Sequence, residues 1–275
     1  MSSTFAERWP RPTVVGILNV TPDSFSDGGS YDSAADAVGA ARRMLADGAA
    51  LVDVGGESTR PGAGPVSVEE ELRRIVPVLE ALSGSPVSLD TSRAGVARRG
   101  IELGVAMVND VSALRRDPVL ADVVAEAGVD VCLMHMRGTP STMQDEPRYD
   151  DVVEDVASFL EERLAFAVGA GIAEDRVCLD PGIGFGKTPE HNLELLRRLD
   201  RIVALGRPVL VGVSRKSTLA RVMGTPGPVG SDAASVGAAV AAFDRGATLF
   251  RVHDVRPHVE ALAAAAAVER GSVVA

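Results

Sequence analysis

The chain has 275 residues, of which 46% are hydrophobic and 24% charged, a composition typical of a packed globular protein. Its formal net charge of −10 argues against a nucleic-acid-binding surface, because neutralising phosphates requires clustered Lys and Arg. No apolar run approaches the roughly 18 to 20 residues that span a bilayer, and the N-terminus lacks the basic-then-apolar pattern of a secretory signal. We therefore expect a cytoplasmic protein that contacts no membrane.

Eight short β-rich runs follow one another along the chain, and apolar residues at helical spacing fill the stretches between them. The runs cover residues 14–19, 50–55, 86–90, 106–110, 130–135, 176–180, 208–214 and 248–254. Strict alternation of strand and helix predicts parallel pairing, and eight units in about 250 residues is the size of a TIM barrel. A doubly wound open sheet is the alternative.

The predicted fold is thus α/β, a single (β/α)8 barrel domain over residues 1–275, with 1–12 as an N-terminal extension and 271–275 as a disordered tail. Helix-start signals support the division into units. These signals are Ser67 with Glu70 three residues later as a capping box, Asp117 before Pro118, and Thr188 before Pro189. Gly128 suits the end of the helix that starts near Asp117.

The cysteines and lysines are few enough to interpret one by one. Cys132 and Cys178 each lie in a short apolar run, which predicts two reduced, buried thiols rather than a disulfide or a metal site. Lys187 and Lys216 are the two lysines beside 26 arginines. Because Lys187 follows a Gly-rich segment at a helix start, we predict a solvated charge that tolerates arginine.

Polar residues cluster where the predicted strands end, which is where barrel enzymes place their active sites. They are Asn19, Asp90, Asn109, Asp180, Ser214, Arg215, Lys216, Arg251 and His253. The period of two in a strand puts each of the following pairs on one face: Ser88 with Asp90, Cys178 with Asp180, and Arg251 with His253. Their neighbours, Leu89, Leu179, Phe250 and Val252, are then free to pack on the helices.

Each of these polar residues also has a purely structural interpretation. Asp90 could cap a helix, Asp180 could belong to a turn, and Asn19 could start one. Together, however, they would place three polar side chains at one barrel mouth by accident, and buried carboxylates cost several kcal/mol unless they are hydrogen-bonded. The joint pattern favours a binding site.

The cations at the later strand ends indicate a polar or anionic ligand. Arg215 and Lys216 follow Ser214 at a strand-to-helix junction, where the helix dipole disfavours cations by roughly 0.3 to 1 kcal/mol. Arg251 lies in the otherwise apolar run TLFRV and needs a partner if it points inward. With His253 on the same face, it can donate to phosphate oxygens.

The segment GIGFGKT, residues 182–188, is similar to a nucleotide-binding phosphate loop but fails on spacing. That loop needs a glycine five residues before Gly186, and the position is occupied by Pro181, which also lacks an N–H. We interpret the segment instead as a Gly-rich loop that lets Phe185 approach a flat ligand.

Along nearly its whole length the chain resembles the dihydropteroate synthases. The matching segments are GILNVTPDSFSDGG (16–29), DVGGESTRPGA (53–63), SLDTSR (88–93), MVNDV (107–111), CLMHM (132–136), LDPGIGFGKT (179–188), VGVSRKS (211–217) and FRVHDV (250–255). Eight ordered motifs at eight strand ends make the resemblance specific. The segment 224–231 departs from the family's commoner wording, and no role is carried onto it.

The resemblance implies an enzyme of folate biosynthesis, a transferase that joins 6-hydroxymethyl-7,8-dihydropterin diphosphate to p-aminobenzoate, forming 7,8-dihydropteroate and pyrophosphate. It implies a pterin site of Asp90, Asn109, Met134, Asp180, Phe185, Gly212, Lys216 and Arg251. It implies a p-aminobenzoate site of Thr59, Pro61, Phe185, Lys216 and Ser217, and diphosphate contacts from Asn19, Arg60, Arg251 and His253. The catalytic residues would be Asp90, Lys216, Arg251 and His253.

The resemblance also implies a cofactor and partners. Mg²⁺ would be held by Asn19 on the diphosphate, sulfonamides would compete with p-aminobenzoate, and the protein would be a homodimer. Loops carrying Phe25 and Arg60 would close over the substrates.

Two other functions remain open from the sequence. A methyltetrahydrofolate:corrinoid methyltransferase shares a pterin-binding barrel but needs no diphosphate clamp, and the motifs STRPGA, SRK and RVHD argue against it. A catalytically silent paralogue would bind pterins without turnover, and the presence of Asn19, Arg60, Lys216 and His253 argues against that alternative.

Overall fold

The computed structural model describes residues 4–21, 30–58, 64, 66–224 and 229–272. Within the range 30–58, side chains are described from residue 34 onward. Eight strands occur at the predicted places. They are β1 (Thr13–Asn19), β2 (Leu51–Gly55), β3 (Val87–Asp90), β4 (Met107–Asp110), β5 (Asp130–Met134), β6 (Val177–Asp180), β7 (Leu210–Val211) and β8 (Leu249–Val252).

One helix precedes β1 and the others follow the strands, with two between β6 and β7 and two between β7 and β8. The helices are α1 (Phe5–Arg8), α2 (Ser30–Ala46), α3 (Val68–Ala81), α4 (Ala94–Glu102), α5 (Val119–Ala127), α6 (Val152–Gly169), α7 (Pro189–Arg197), α8 (Asp200–Val203), α9 (Ser217–Val222), α10 (Asp232–Asp244) and α11 (Val255–Arg270). A 3₁₀ turn, Glu174–Arg176, precedes β6. Across the described part of the chain, every helix is too short or too polar to span a bilayer.

The strands form one parallel sheet in the order β6-β5-β4-β3-β2-β1-β8-β7. The two ends of this sheet meet, because Leu179 bridges to Val209 and its N–H donates to the Pro208 carbonyl at 2.9 Å. The predicted barrel is therefore confirmed and the open sheet is wrong. β7 is shorter than the predicted run 208–214, and Pro208, which lacks an N–H, cannot extend the ladder at its start.

The helix-facing side of the strands packs into two hydrophobic clusters. Leu89 packs with the helices α2 to α4, and Leu179, Phe250 and Val252 pack in the larger cluster under the remaining helices. These are the residues predicted to face the helix layer. The alternate residues of each strand point into the barrel, so the polar residues at the strand ends face its interior.

The N-terminal extension closes the bottom of the barrel. Phe5 of α1 and Trp9 just after it are 3% and 9% exposed and pack against inward-facing residues of the strands. Those residues are Val15, Leu51, Met107, Cys132, Cys178, Leu210 and Leu249. Asp130 at the start of β5 accepts from the Trp9 Nε1–H at 2.7 Å and from Arg8 at 2.6 Å. Both cysteines are buried, as predicted.

The predicted helix-start residues lie near the starts of helices, but some of them make different hydrogen bonds from those predicted. Thr188 caps α7, with Pro189 in its first turn, and Gly128 ends α5 in a left-handed conformation. The Ser67 hydroxyl accepts from the Glu70 N–H at 3.2 Å, but the Glu70 carboxylate turns to Arg73 and Arg74 one turn later. The reciprocal half of the predicted capping box is replaced by these charged hydrogen bonds.

Asp117 caps a different helix from the predicted one. Its carboxylate accepts from the Ala94 N–H at 2.8 Å, at the start of α4, and α5 begins two residues later at Val119. A helix N-terminus leaves N–H groups unpaired, and Arg93 before α4 provides no side-chain cap of its own. The N-terminus of α4 is therefore capped by Asp117, which lies after β4 and is distant from α4 in the sequence.

Candidate active site at the mouth of the barrel

Inward-facing polar residues meet at the C-terminal end of the strands, as predicted. Asn19, Asp90 and Asp180 end β1, β3 and β6, while Asn109 and Arg251 lie within β4 and β8. In register, Asn19 pairs with Gly55, Gly55 with Asp90, and Asp90 with Asn109. Strand pairing alone thus aligns the polar residues of neighbouring strands around one mouth.

Arg251 is the centre of a buried charged network. Its Nε donates to Asp53 Oδ2 at 2.6 Å and its Nη2 donates to Asp90 Oδ2 at 2.8 Å. Asn109 Nδ2 donates to the same Asp53 oxygen at 3.0 Å. Oδ1 of Asp53 and Oδ1 of Asn109 are buried and accept no hydrogen bond from the described residues, so acceptor capacity remains at this site.

Asp53 is a site residue that the sequence analysis missed. It is 1% exposed and lies in the middle of β2, facing the barrel interior. The signal was present, because a charged residue inside the apolar run ALVDVG needs a partner for the same reason as Arg251 in TLFRV. The lone charge therefore indicated that Asp53 has a buried partner, but not that the partner is Arg251.

Burial and neighbouring charges shift the pKa values of the ionisable groups in this network. It raises the pKa of Asp90 to about 7, against the opposing effect of Arg251 and with further raising by the charge of Asp53. Burial alone would lower the pKa of Arg251, but Asp53 and Asp90 hold it above its usual value. Arg251 is therefore a permanent cation, and Asp90 is a carboxyl that changes charge near neutral pH.

Asp180 and Lys216 form the second charged part of the mouth. Asp180 Oδ1 accepts from the Gly182 N–H at 2.7 Å, and burial raises the pKa of Asp180 to about 6. Burial, followed by the charge of Arg251, lowers the pKa of Lys216 to about 8, while Asp180 counteracts the shift. The Lys216 ammonium lies 4.4 Å from the centroid of the Phe185 ring, within cation–π range.

An apolar wall completes the mouth beside these charges. Phe185 packs against a small buried cluster of Val111, Met134, Met136 and Met143. Gly212 follows β7 with inward parity, and a Cβ built on it would meet nothing within 4 Å. The wall and the open space beside Gly212 are suited to a flat ring system.

Ser214 and His253 are joined across the ends of β7 and β8. The Ser214 hydroxyl accepts from the His253 backbone N–H at 3.1 Å and lies 3.0 Å from His253 Nδ1. This contact fixes the half-buried imidazole at the rim. Ser217, the first residue of α9, is exposed at the same rim.

Arg215 does not face the mouth, contrary to the interpretation of two cations for one ligand. Its guanidinium donates to Asp232 at 3.1 Å and to Asp254 at 2.8 Å, and its own φ is +57°. The left-handed backbone turns this side chain outward. Only Lys216 of the pair is directed at the mouth.

Lys187 is buried, so the prediction of a solvated charge is wrong. It is 2% exposed, and its ammonium hydrogen-bonds to His135 Nδ1 at 2.8 Å and to the carbonyls of Gly182 and Phe185 at 3.0 Å. The amine thus turns back into its own loop rather than toward a phosphate. This geometry agrees with the rejection of a nucleotide-binding loop.

Four predicted residues cannot be placed. Thr59, Arg60 and Pro61 lie outside the described residues, as does Phe25 of the other predicted loop. The segment 224–231 is described only in part. The described site therefore comprises the barrel mouth without these two loops.

Comparison with known proteins agrees with the fold. The family model for pterin-binding enzymes matches residues 15–253, which include every strand end of the mouth. Fold and site together define an enzyme of the pterin-binding class.

Individual relatives narrow the class. The dihydropteroate synthase of Escherichia coli strain K12 is 48% identical over 254 residues, covering 91% of this chain and 89% of the relative. The Xanthomonas albilineans dihydropteroate synthase, solved with 4-aminobenzoic acid, has a TM-score of 0.88 and 48% identity over 94% of both chains. The Yersinia pestis enzyme, solved as a sulfonamide drug complex, has a TM-score of 0.88 and 46% identity over 94% of this chain and 95% of its own. The chain belongs to the dihydropteroate synthase family.

Proposed function

We propose that this protein is a transferase of folate synthesis that condenses 6-hydroxymethyl-7,8-dihydropterin diphosphate with p-aminobenzoate, giving 7,8-dihydropteroate and pyrophosphate. Family membership carries the reaction class. The observation that carries the site assignment is the buried network in which Arg251 joins Asp53 and Asp90 at the barrel mouth. The same membership argues against the corrinoid methyltransferase alternative.

The pterin ring is assigned to the polar floor of the mouth. The pterin is a planar ligand whose edge carries several N–H donors. Acceptors for these donors are offered by Asp90, Asn109 and Asp180. Buried carboxylates bind such donors strongly because water does not compete. Met134 and Phe185 supply the apolar surface for the ring, and Lys216 and Gly212 complete its surroundings.

Bond cleavage is assigned to the opposite charges of the network. The bond between the pterin methylene carbon and the diphosphate oxygen breaks, leaving a cationic methylene that ionised Asp90 stabilises. Arg251 keeps Nε and Nη2 on the carboxylates, and its Nη1 bonds to no described residue, so we assign Nη1 to the departing pyrophosphate. His253 and Arg60 are further donors to that group.

The arylamine of p-aminobenzoate then attacks the methylene, forming the new carbon–nitrogen bond. The amine loses its proton during or after attack, so the site needs no strong general base. Thr59, Pro61, Phe185, Lys216 and Ser217 are assigned to the p-aminobenzoate pocket. Sulfonamides, which resemble p-aminobenzoate in shape, are proposed to compete there, in line with the Yersinia pestis drug complex.

Mg²⁺ is the proposed cofactor, with Asn19 as its protein ligand. Among the described residues there is no group of three or more His, Cys, Asp or Glu that could hold a metal. The hard amide oxygen of Asn19 at the end of β1 nevertheless fits this ion, which is commonly bound by one or two protein oxygens together with substrate phosphates. When bound, Mg²⁺ would neutralise the charge that develops on the leaving diphosphate. We also propose a cytoplasmic homodimer.

The ionised form of Asp90 is proposed to be active, which predicts the effect of pH. Because burial raises the pKa of Asp90 to about 7 and Asp53 contributes to this rise, kcat/KM should fall as the pH drops below neutral. Asp53→Asn removes one raising charge and should move this acid limb to lower pH. A pH profile of kcat/KM for both proteins measures the effect, and an acid limb that stays in place or moves upward would contradict the assignment.

Binding order gives a second prediction. Because the proposed p-aminobenzoate pocket shares Phe185 and Lys216 with the proposed pterin site, p-aminobenzoate should bind measurably only when pterin diphosphate or pyrophosphate is present. Isothermal titration calorimetry measures this directly. Tight binding of p-aminobenzoate to the protein alone would contradict the proposed sharing of residues by the two sites.

Product identity tests the proposed function itself. Incubation with both substrates and Mg²⁺ should yield 7,8-dihydropteroate, identified by its mass, with one pyrophosphate released per product. A silent paralogue would instead bind pterin diphosphate and release nothing.

A further inference from the structure

Lys187 is a buried cation for which the proposed reaction provides no role. It lies at the end of the Gly-rich loop 182–186, is 2% exposed, and makes no ion pair with a described carboxylate. Its amine has three close acceptors, which are His135 Nδ1 at 2.8 Å, the Gly182 carbonyl at 3.0 Å and the Phe185 carbonyl at 3.0 Å, and the His135 carbonyl lies farther away at 3.5 Å. Burial lowers the pKa of Lys187 to about 7, although the charge of Asp180 opposes that shift. A buried amine is costly unless its hydrogen bonds are complete, and these bonds replace those it would make to water.

His135 is fixed as the acceptor of this arrangement. Burial, and then the charge of Lys187, lowers the pKa of His135 to about 2, so the ring is neutral and Nδ1 accepts. The imidazole packs edge-on against Phe159 of α6, with ring centroids 4.8 Å apart. One acceptor of Lys187 is therefore anchored to the barrel wall rather than to the loop.

Other contacts hold the loop from its outer side. The Gly184 N–H donates to Asn192 Oδ1 at 2.8 Å, and the Gly184 carbonyl accepts from Gln144 at 2.9 Å. The Gly186 carbonyl accepts from the Tyr149 hydroxyl at 2.7 Å. These bonds leave the Phe185 carbonyl to Lys187, and Phe185 is the residue whose ring lies 4.4 Å from the Lys216 ammonium.

We propose that Lys187 is a positioning residue for the substrate pocket: its buried ammonium fixes the Phe185 peptide, so that the Phe185 ring stays against Lys216 and bounds the p-aminobenzoate pocket. This inference rests on the proposed function of Phe185 and Lys216. Lys187 touches neither substrate in this account and acts through the loop.

Arg163 provides a matched control. It is also a buried cation, 9% exposed, and it donates to the backbone carbonyls of Ala113 at 2.8 Å and Leu114 at 3.5 Å. Those carbonyls belong to the loop after β4 and not to the Gly-rich loop that carries Phe185. Arg163→Met therefore reports the cost of losing a buried cation that binds backbone carbonyls, while the hydrogen bonds to the Phe185 peptide are kept.

The direct test is ¹⁹F NMR of the substrate-free protein labelled with 4-fluorophenylalanine at its seven phenylalanines. Phe185→Leu assigns the Phe185 resonance. Lys187→Met should shift or broaden that resonance, whereas Arg163→Met should leave it in place although both variants lower the thermal midpoint. If Lys187→Met does not fold, Lys187→Gln, whose amide can serve two of the three acceptors, should give the same change to a smaller degree.

Kinetics supply the second measurement. Lys187→Met should raise KM for p-aminobenzoate on the order of tenfold or more, with a smaller effect on kcat, because the pocket wall is displaced while the reacting groups remain. An unchanged Phe185 resonance together with a KM equal to that of Arg163→Met would overturn the proposal and leave Lys187 a stabilising residue only. The fluorine measurement needs no turnover, so it still decides the proposal if the wild-type protein releases no pyrophosphate.

Discussion

Lys216→Arg is expected to lower kcat/KM by about 100-fold or more, equivalent to roughly 2.7 kcal/mol, while the fold survives. The Lys216 ammonium lies 4.4 Å from the Phe185 ring centroid, and its stem is flanked by Gly184. A compact ammonium fits between two substrates there, whereas a wider planar guanidinium must displace one of them. Steady-state kinetics beside a thermal melt measures both effects.

Lys187→Arg is the matched comparison, and we expect it to lower the thermal midpoint more than Lys216→Arg does. Lys187 is 2% exposed and its three acceptors converge on one amine, so a guanidinium cannot serve them without moving the loop. The thermal midpoint should therefore fall clearly for Lys187→Arg and little for Lys216→Arg. Equal falls in the two midpoints would show that burial does not distinguish the two lysines as described.

Asp90→Asn is expected to lower kcat/KM on the order of 100- to 1,000-fold, the usual cost of removing one group that stabilises transition-state charge. Asparagine keeps the shape and an acceptor for Arg251, so the loss reports the charge of Asp90 rather than a collapsed site. Single-turnover rates with saturating substrates isolate this effect from binding.

The same variant should gain stability in a pH-dependent way. The pKa of Asp90 rises from 3.8 in its ordinary state to about 7 in the folded protein. Between these values the unfolded chain is ionised while the folded site holds its proton, so the wild type loses stability as the pH rises through this window. Relative to wild type, the thermal midpoint of Asp90→Asn should therefore be higher at pH 8 than at pH 5. A difference in thermal midpoint that is equal at pH 5 and pH 8 would contradict the raised pKa of Asp90 in the folded protein.

Strands and barrel closure could be predicted from the sequence because they depend on local and periodic signals. The apolar runs are short and evenly separated, and period-two alternation correctly assigned Leu89 and Phe250 to the helix layer. The register that aligns Gly55, Asp90 and Asn109 then follows from parallel pairing.

Partnerships over long sequence distances could not be predicted in the same way. Asp53 and Arg251 are 198 positions apart, and Lys187 and His135 are 52 apart, so only the closed barrel brings each pair together. Arg215 was misassigned because its outward direction depends on a left-handed φ and on Asp232 and Asp254 of later elements. A lone buried charge in the sequence indicates that a partner exists, but folding decides which one.

Release of pyrophosphate in a complete reaction with pterin diphosphate, p-aminobenzoate and Mg²⁺, measured again as each component is omitted, is the decisive test of the proposed condensation. We predict multiple turnovers in the complete mixture, and rates near background when p-aminobenzoate or Mg²⁺ is omitted or when Asp90→Asn replaces the wild type. Absence of release from a folded wild-type protein that binds pterin diphosphate, or release that is independent of p-aminobenzoate, would contradict this function.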